Sequence, residues 1–250
     1  MRFRVTPYHH NLLMDHQRLS AFYEAISSSA RGVTYDLGAG SGVLSYFAAG
    51  VSEKVIAVEK DPKIAACASE NLSHLENVRV VNQDALEFEF TEPADTIICE
   101  MLDTALIDEE QVPVLQRAMD FLKPDGRVIP LGILNAAEPV LMNSDNIIYD
   151  ERGSDSRSAG PLRVYSRVNF KGNLDDRFRG RLKLRATGPF NGIRITTFTI
   201  LQDDIICGPT PMMNPPLMIP LGSAEEPGEA EIELSYRMGG GLGSIRAEVL

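Results

Sequence analysis

Carboxylates gathered around a glycine-rich turn hold the most legible chemistry in this 250-residue chain. The segment from Tyr35 to Gly42 reads YDLGAGSG, with glycines at 38, 40 and 42. Glycine has no Cβ, so such a turn bends tightly and lets backbone amides approach a ligand closely. The helix that follows, near Val43, aims its unpaired amides and positive dipole end at the same place. Acids recur where strands should end. Asp36 precedes the turn, Glu59 closes KVIAVE 23 positions later, and Asp84 follows VRVVNQ. In open parallel sheets ligands bind along the carboxyl ends of the strands, and an acid about 20 residues beyond the turn takes ribose hydroxyls.

The identity of the ligand follows from spacing and charge. A pyrophosphate-binding turn has the pattern G-x-G-x-x-G. This turn is G-x-G-x-G, and Val43 stands where the third glycine would be. Asp36 would also repel a pyrophosphate. It attracts a ligand that carries ammonium and sulfonium charges, such as S-adenosylmethionine. The carboxylate ring therefore favours a methyl donor over a dinucleotide.

The elements that must position these residues alternate. Five short β-branched runs, VTYDLG, KVIAVE, VRVVN, ADTIICE and GRVIPL, are separated by the helical stretches SGVLSYFAAG, DPKIAACASENLSHL and EEQVPVLQRAMDFL. Strands alternating with helices predict an α/β fold with a parallel, Rossmann-like sheet. Lys123, Pro124, Asp125 and Gly126 should stop the last helix and turn the chain. Beyond about Leu134 the helical period fades. The alternating segments RVYSRVNF, RFRGRLKLR, GIRITTFTILQ, AEIELSYRM and SIRAEVL predict an antiparallel β-rich, barrel-like domain. The expected division is 1–134 and 135–250. Residues 143–161, polar and rich in Ser, Asp, Asn and Gly, read as a mobile loop or arm.

Composition narrows the class. Apolar residues make up 44%, which suits a globular chain with a packed core. No run approaches the roughly 20 apolar residues of a membrane span. The start, MRFRVTPYHH, lacks a secretory apolar stretch. Cys67, Cys99 and Cys207 are odd in number and widely spaced, fitting a reducing compartment and no zinc site. A cytoplasmic location without membrane contact is the expectation. The net charge of −11 argues against a general polyanion binder, yet its parts differ: −12 over 1–150, +7 over 151–200 and −6 over 201–250. In the basic part Arg177, Arg179, Arg181, Lys183 and Arg185 share one face of a strand, a row suited to docking nucleic acid.

The blocks YDLGAGSG, IAVEKD and NQDALEF resemble motif I, post I and motif II of class I S-adenosylmethionine-dependent methyltransferases. CEMLDTALIDEE resembles the double-glutamate loop of the protein arginine methyltransferases, with Glu100 and Glu109 nine apart. MDHQR, with Met14, Asp15 and Arg18, resembles the segment that closes over the cofactor in that family. The resemblance covers about residues 8–140 well and the rest loosely. It implies that Asp36, Gly38 and Gly40 hold the methionine part of S-adenosylmethionine and that Arg18 pairs with its carboxylate. It further implies Glu59 at the ribose and Asp84 with Ala85 at the adenine, with Lys60 also among the cofactor-binding residues. S-adenosylhomocysteine would be the product. Glu100 and Glu109 would be catalytic, clamping a substrate guanidinium. That group stays protonated, and its nitrogens react once they are aimed and their charge is held elsewhere. A protein or peptide substrate and a homodimer are expected from the same likeness.

The chain also departs from that family. It has no Trp, and its histidines, His9, His10, His16 and His74, all precede the β-rich part. The family's Thr-His-Trp loop has its counterpart in the apolar GPTPMMNPPLMIPLG, and the dimerising arm is short or replaced. Three readings stay open at this point: methylation of a protein arginine or related guanidino group, RNA methylation through the basic segment 163–185, and a donor-binding scaffold without catalysis. Glu109 and Glu110 also open the helix EEQVPVLQRAM, where acids stabilise a helix dipole without further duty.

Overall fold

Parallel pairing starts where the β-branched runs place it. The computed structural model describes residues 3–150, 156–210 and 212–250. It opens with α1 (Pro7–Met14) and α2 (His16–Ser29). Next come β1 (Val33–Leu37), α3 (Val43–Ala49), β2 (Lys54–Glu59), α4 (Pro62–Leu72), β3 (Val78–Asn82), β4 (Ala94–Cys99), α5 (Gln111–Ala118) and β5 (Leu122–Ile129). The five strands form one parallel sheet in the order β3-β2-β1-β4-β5. The chain passes over β1 between β3 and β4, so the strand order reverses beside β1. The crevice at the carboxyl ends of β1 and β4 is where such a sheet takes its ligand.

Local rules explain the boundaries. Strands β1, β2 and β4 are buried along nearly their whole length, which accounts for their unbroken apolar runs. At the sheet edge, β3 is only partly covered. The first turn of α4 has Pro62 inside it, and its N-cap Asp61 accepts from the amides of Lys63 and Ile64. The last helix is shorter than 109–122 predicts. Regular helix spans Gln111–Ala118, and a 3-10 turn, Met119–Phe121, ends it. Glu110 is its N-cap, so Glu109 stands outside the helix. The 123–126 segment, expected to stop that helix and turn the chain, follows the 3-10 turn and lies within a strand instead. It bulges inside β5, where Ala94 pairs with Leu122 and Thr96 with Arg127.

The remaining strands are β6 (Gly132–Met142), β7 (Ile148–Tyr149), β8 (Ser156–Ser158), β9 (Arg163–Asn169), β10 (Arg177–Ala186), β11 (Phe190–Gln202), β12 (Ile205–Cys207), β13 (Leu217–Glu225), β14 (Gly228–Arg237) and β15 (Arg246–Val249). They form an antiparallel sheet in the order β7-β13-β11-β6-β8, with β9 also on β6 and β12 on β11, and a second sheet β10-β14-β15. The five alternating segments form as β9, β10, β11, β14 and β15. The two longest of the other five strands, β6 and β13, lacked a signal. In β6 nine of eleven residues are buried, on both faces of the strand, so no alternation shows. β13 starts at Leu217 inside the proline-rich stretch that read as a loop. Within 143–161 the chain forms β7 and β8, and 151–155 lie outside the described residues.

One apolar core runs through both halves, joining Phe22, Ile26 and Tyr35 to Phe170, Phe190 and Ile195. Side chains of this kind contribute about 1.5–3 kcal/mol each when fully buried. The basic row of β10 does lie on one exposed face, with Leu182 and Leu184 buried on the other. It is not a free row of cations. Arg181, Lys183 and Arg185 stand opposite Glu233, Glu231 and Glu229 of β14. Arg179 lies 3.0 Å from Glu233 and Arg181 3.8 Å from Glu231. The alternation in β10 was legible; its acidic neighbour, some 50 residues on, was not. Among the described residues no helix is long and apolar enough to cross a membrane.

Candidate active site

The turn after β1 keeps its glycines for steric reasons. Gly38 and Gly40 have φ of 75° and 54°, the left-handed region that side chains disfavour. A Cβ on Gly40 would lie 3.0 Å from His9 Nε2, and one on Gly38 would lie 2.9 Å from Met101 Cγ. The amides of Gly38 and Ala39 both donate to the Val58 carbonyl. Glu59, at the end of β2, is buried and locks this geometry. Its Oε2 accepts from Gly40 N at 3.0 Å and its Oε1 from Asp61 N at 2.8 Å.

Beside this turn lies a cavity of about 300 Å³. Of the ten residues singled out from the sequence, nine line it: Arg18, Gly38, Gly40, Glu59, Lys60, Asp84, Ala85, Glu100 and Glu109. Asp36 does not. It lies beneath the turn, 1% exposed, where Oδ2 accepts from Ser45 Oγ at 2.6 Å. Burial pushes its carboxyl up to about 6, with Ser45 pulling the other way. Asp84 caps its own loop by accepting from Leu86 N at 2.9 Å. Lys60 Nζ reaches across to Glu110 Oε2 at 3.2 Å, an exposed pair at the rim.

Arg18 makes a contact that spacing did not indicate. Its guanidinium grips Glu100 through both oxygens, Nε to Oε1 at 2.9 Å and Nη2 to Oε2. Their side chains are 3% and 12% exposed, so this is a buried pair, and the arginine stays charged more firmly than usual despite burial. Asp15, the α2 N-cap, accepts from Arg18 N at 3.0 Å, and its Oδ2 is buried without a partner among the described residues. Glu109 sits on the rim. Partial burial and the charge of Glu100 hold its carboxyl above the ordinary range.

Several site residues escaped the sequence reading. Tyr8 and His9 of α1 line the cavity, and burial holds the His9 imidazole below its ordinary value. Thr6 at the N-cap with Pro7 behind it marks this helix start, a signal that was available. Gln111 is fully buried. Its Oε1 accepts from Met101 N at 2.9 Å and its Nε2 donates to Cys99 O at 2.7 Å, so it fastens the backbone on both sides of Glu100. No local pattern announces that contact. Met212, from the proline-rich stretch, also reaches the cavity. No cluster of metal-ligating side chains occurs among the described residues.

The cavity suits S-adenosylmethionine. The glycine turn, where a Cβ would meet close contacts, several acids and the buried Arg18–Glu100 pair all line it. Comparison with known proteins agrees. A family model described as a methyltransferase domain matches residues 35–126. An uncharacterized protein of Methanothermobacter thermautotrophicus is 67% identical over the whole of both chains. One from Methanocaldococcus jannaschii is 37% identical over 100% of this chain and 99% of its own. A histone-arginine methyltransferase of Drosophila persimilis is 33% identical over 57% of this chain, and the match spans only 28% of that longer protein. Among solved structures, the Trypanosoma brucei protein arginine methyltransferase enzyme–prozyme heterotetramer with S-adenosylhomocysteine superposes with a TM-score of 0.79 at 18% identity, covering 91% of this chain and 87% of that one. Arabidopsis thaliana protein arginine methyltransferase 10 also gives 0.79, at 14% identity over 98% and 96%. At such identities the likeness is one of fold, parallel sheet and β-rich part together. The chain belongs to one family with the two archaeal proteins, and it is a class I S-adenosylmethionine-dependent methyltransferase.

Proposed function

We propose that this chain methylates the guanidinium of arginine in a protein or peptide. The observation that carries the reading is that Glu100 and Glu109 line the same cavity as the glycine turn, Glu59 and Asp84. In this reading Glu59 and Lys60 meet the ribose and Asp84 and Ala85 the adenine. Asp36 favours the ammonium from beneath the turn. The bound donor supplies an electrophilic methyl on a cationic sulfur. The work of the protein is then to bring one neutralised nitrogen to that carbon.

Glu100 and Glu109 do this with different means. Arg18 engages both oxygens of Glu100, and a carboxylate has about four lone-pair sites, so acceptors remain for a second guanidinium. The pairing holds Glu100 in a fixed orientation. Among the described residues Glu109 has no such arginine partner, and its carboxyl is raised, which suits it to accept the proton that the nitrogen loses. Burial pushes the Tyr8 phenol up, and the nearby charges of Glu109 and Glu100 push it the same way. A location in the cytoplasm and a homodimer belong to the same reading.

Radiolabelled methyl donor offered with an arginine-rich peptide, with total RNA and with neither tests it. Label should enter the peptide, and Glu109→Gln should reduce the rate by about 10²- to 10⁴-fold while donor affinity holds. Label on RNA would move the assignment to nucleic acid. Tight donor binding with no transfer to either would leave a scaffold.

A further inference from the structure

The loop between β4 and α5 carries both glutamates, and its far end is held by one buried side chain. Asp103 Oδ2 accepts from Ile107 N at 3.0 Å and Asp108 N at 2.9 Å, and Oδ1 accepts from Glu109 N at 3.4 Å. The Tyr149 hydroxyl, from β7, shares its proton between Asp103 Oδ2 at 3.0 Å and Asp108 Oδ2 at 2.8 Å. Between these points Ala105 and Leu106 lie fully buried at φ of 58° and 61°, a conformation costly for residues with a Cβ. A backbone so placed needs outside anchors. The β-rich half provides them: Ala105 N donates to Thr197 Oγ1, and Gly239 N and Gly241 N donate to the carbonyls of Leu106 and Ile107.

The two glutamates are therefore set by different residues. Gln111 fixes Glu100 from within the parallel-sheet half. Glu109 stands outside any helix, exposed at its side chain, and the grip on its amide is that of Asp103. We propose that Asp103, tied to Tyr149, is a positioning residue that sets Glu109 against the substrate, so that contact between the halves fixes the spacing of the two carboxylates. The inference rests on the reading of Glu109 as a substrate-holding group. A carboxylate is needed at 103 because both of its oxygens receive donors. An asparagine has one acceptor oxygen and would turn an NH₂ toward an amide.

The test uses the full chain, labelled donor and the arginine-rich peptide, with initial rates for Asp103→Asn, Tyr149→Phe, the double variant and Glu109→Gln. Asp103→Asn should lower kcat by about 10- to 100-fold and raise KM for peptide, because a small misplacement of a reacting group is enough for that. Its calorimetric affinity for donor should stay within about twofold, since the contact lies outside the glycine turn. Tyr149→Phe should lower kcat about threefold, and the double variant should be no worse than Asp103→Asn alone, the mark of one shared network. Wild-type kcat and KM in folded Asp103→Asn and Tyr149→Phe, with Glu109→Gln inactive, would overturn the positioning role and spare the function. Wild-type transfer by Glu109→Gln would overturn both. If Asp103→Asn does not fold, Tyr149→Phe decides: a threefold or larger fall in kcat supports the role, and unchanged constants overturn it.

Discussion

The parallel-sheet half and the β-rich half divide the labour unequally. The first supplies nearly every side chain that lines the cavity, because strand ends, glycine turn and helix starts all meet at one sheet edge. The second contributes Met212 to the lining and otherwise braces from behind, through Thr197, Tyr149, Gly239 and Gly241. Charge is handled differently too. At the cavity Arg18 and Glu100 are paired in the interior, where breaking the pair strands a charge. On β10 and β14 cations and anions face each other in water, where solvent screens them. The lesson is that ion pairs of the same chemistry carry unequal energetic weight, and burial decides which ones matter.

The sharpest break in that comparison is Arg18→Met. Removing one partner of a buried pair leaves Glu100 uncompensated, and the expected loss is about 3–5 kcal/mol of stability. Urea unfolding measures it, and a loss under about 1 kcal/mol would place Arg18–Glu100 with the surface pairs. Next is the pH dependence of donor binding. Asp36 has its carboxyl raised to about 6 by burial, so it is ionised at pH 7 and mostly protonated at pH 5. A cationic ligand gains from the ionised form alone. Affinity should be level above pH 7 and fall by up to about tenfold per unit below pH 6. Calorimetry at pH 5, 6 and 7 reads this, and a flat profile would remove Asp36 from the donor site. The smallest effect belongs to Arg181→Ala on β10. Its pair with Glu231 is largely exposed, so thermal unfolding should move by no more than the equivalent of about 1 kcal/mol, and less in high salt.

Much of the site was legible because it is local. A glycine turn, an acid ending the next strand and another ending the third need only short-range sequence to be seen, and the parallel fold then brings their ends together. Asp36 illustrates the limit. Its place before the turn was plain, but its burial beneath Ser45 depends on how α3 packs. Arg18 and Glu100, 82 residues apart, look like separate groups in the sequence and form one pair in the fold. Gln111, Asp103 and Tyr149 carried no pattern at all, since a buried polar residue is defined by its partners.

The β-rich half shows the same boundary. Strands with one wet face announced themselves by alternation, as β10 did, while β6 was hidden because residues on both of its faces are buried. The amino-acid order by itself determined the alternating elements, the glycine turn and the acid at each strand end, because backbone sterics and periodicity act over a few residues. Tertiary structure alone decided which charges are paired, which carboxyls are raised and what holds the loop from Glu100 to Glu109, because desolvation and long-range hydrogen bonds exist only once distant segments meet.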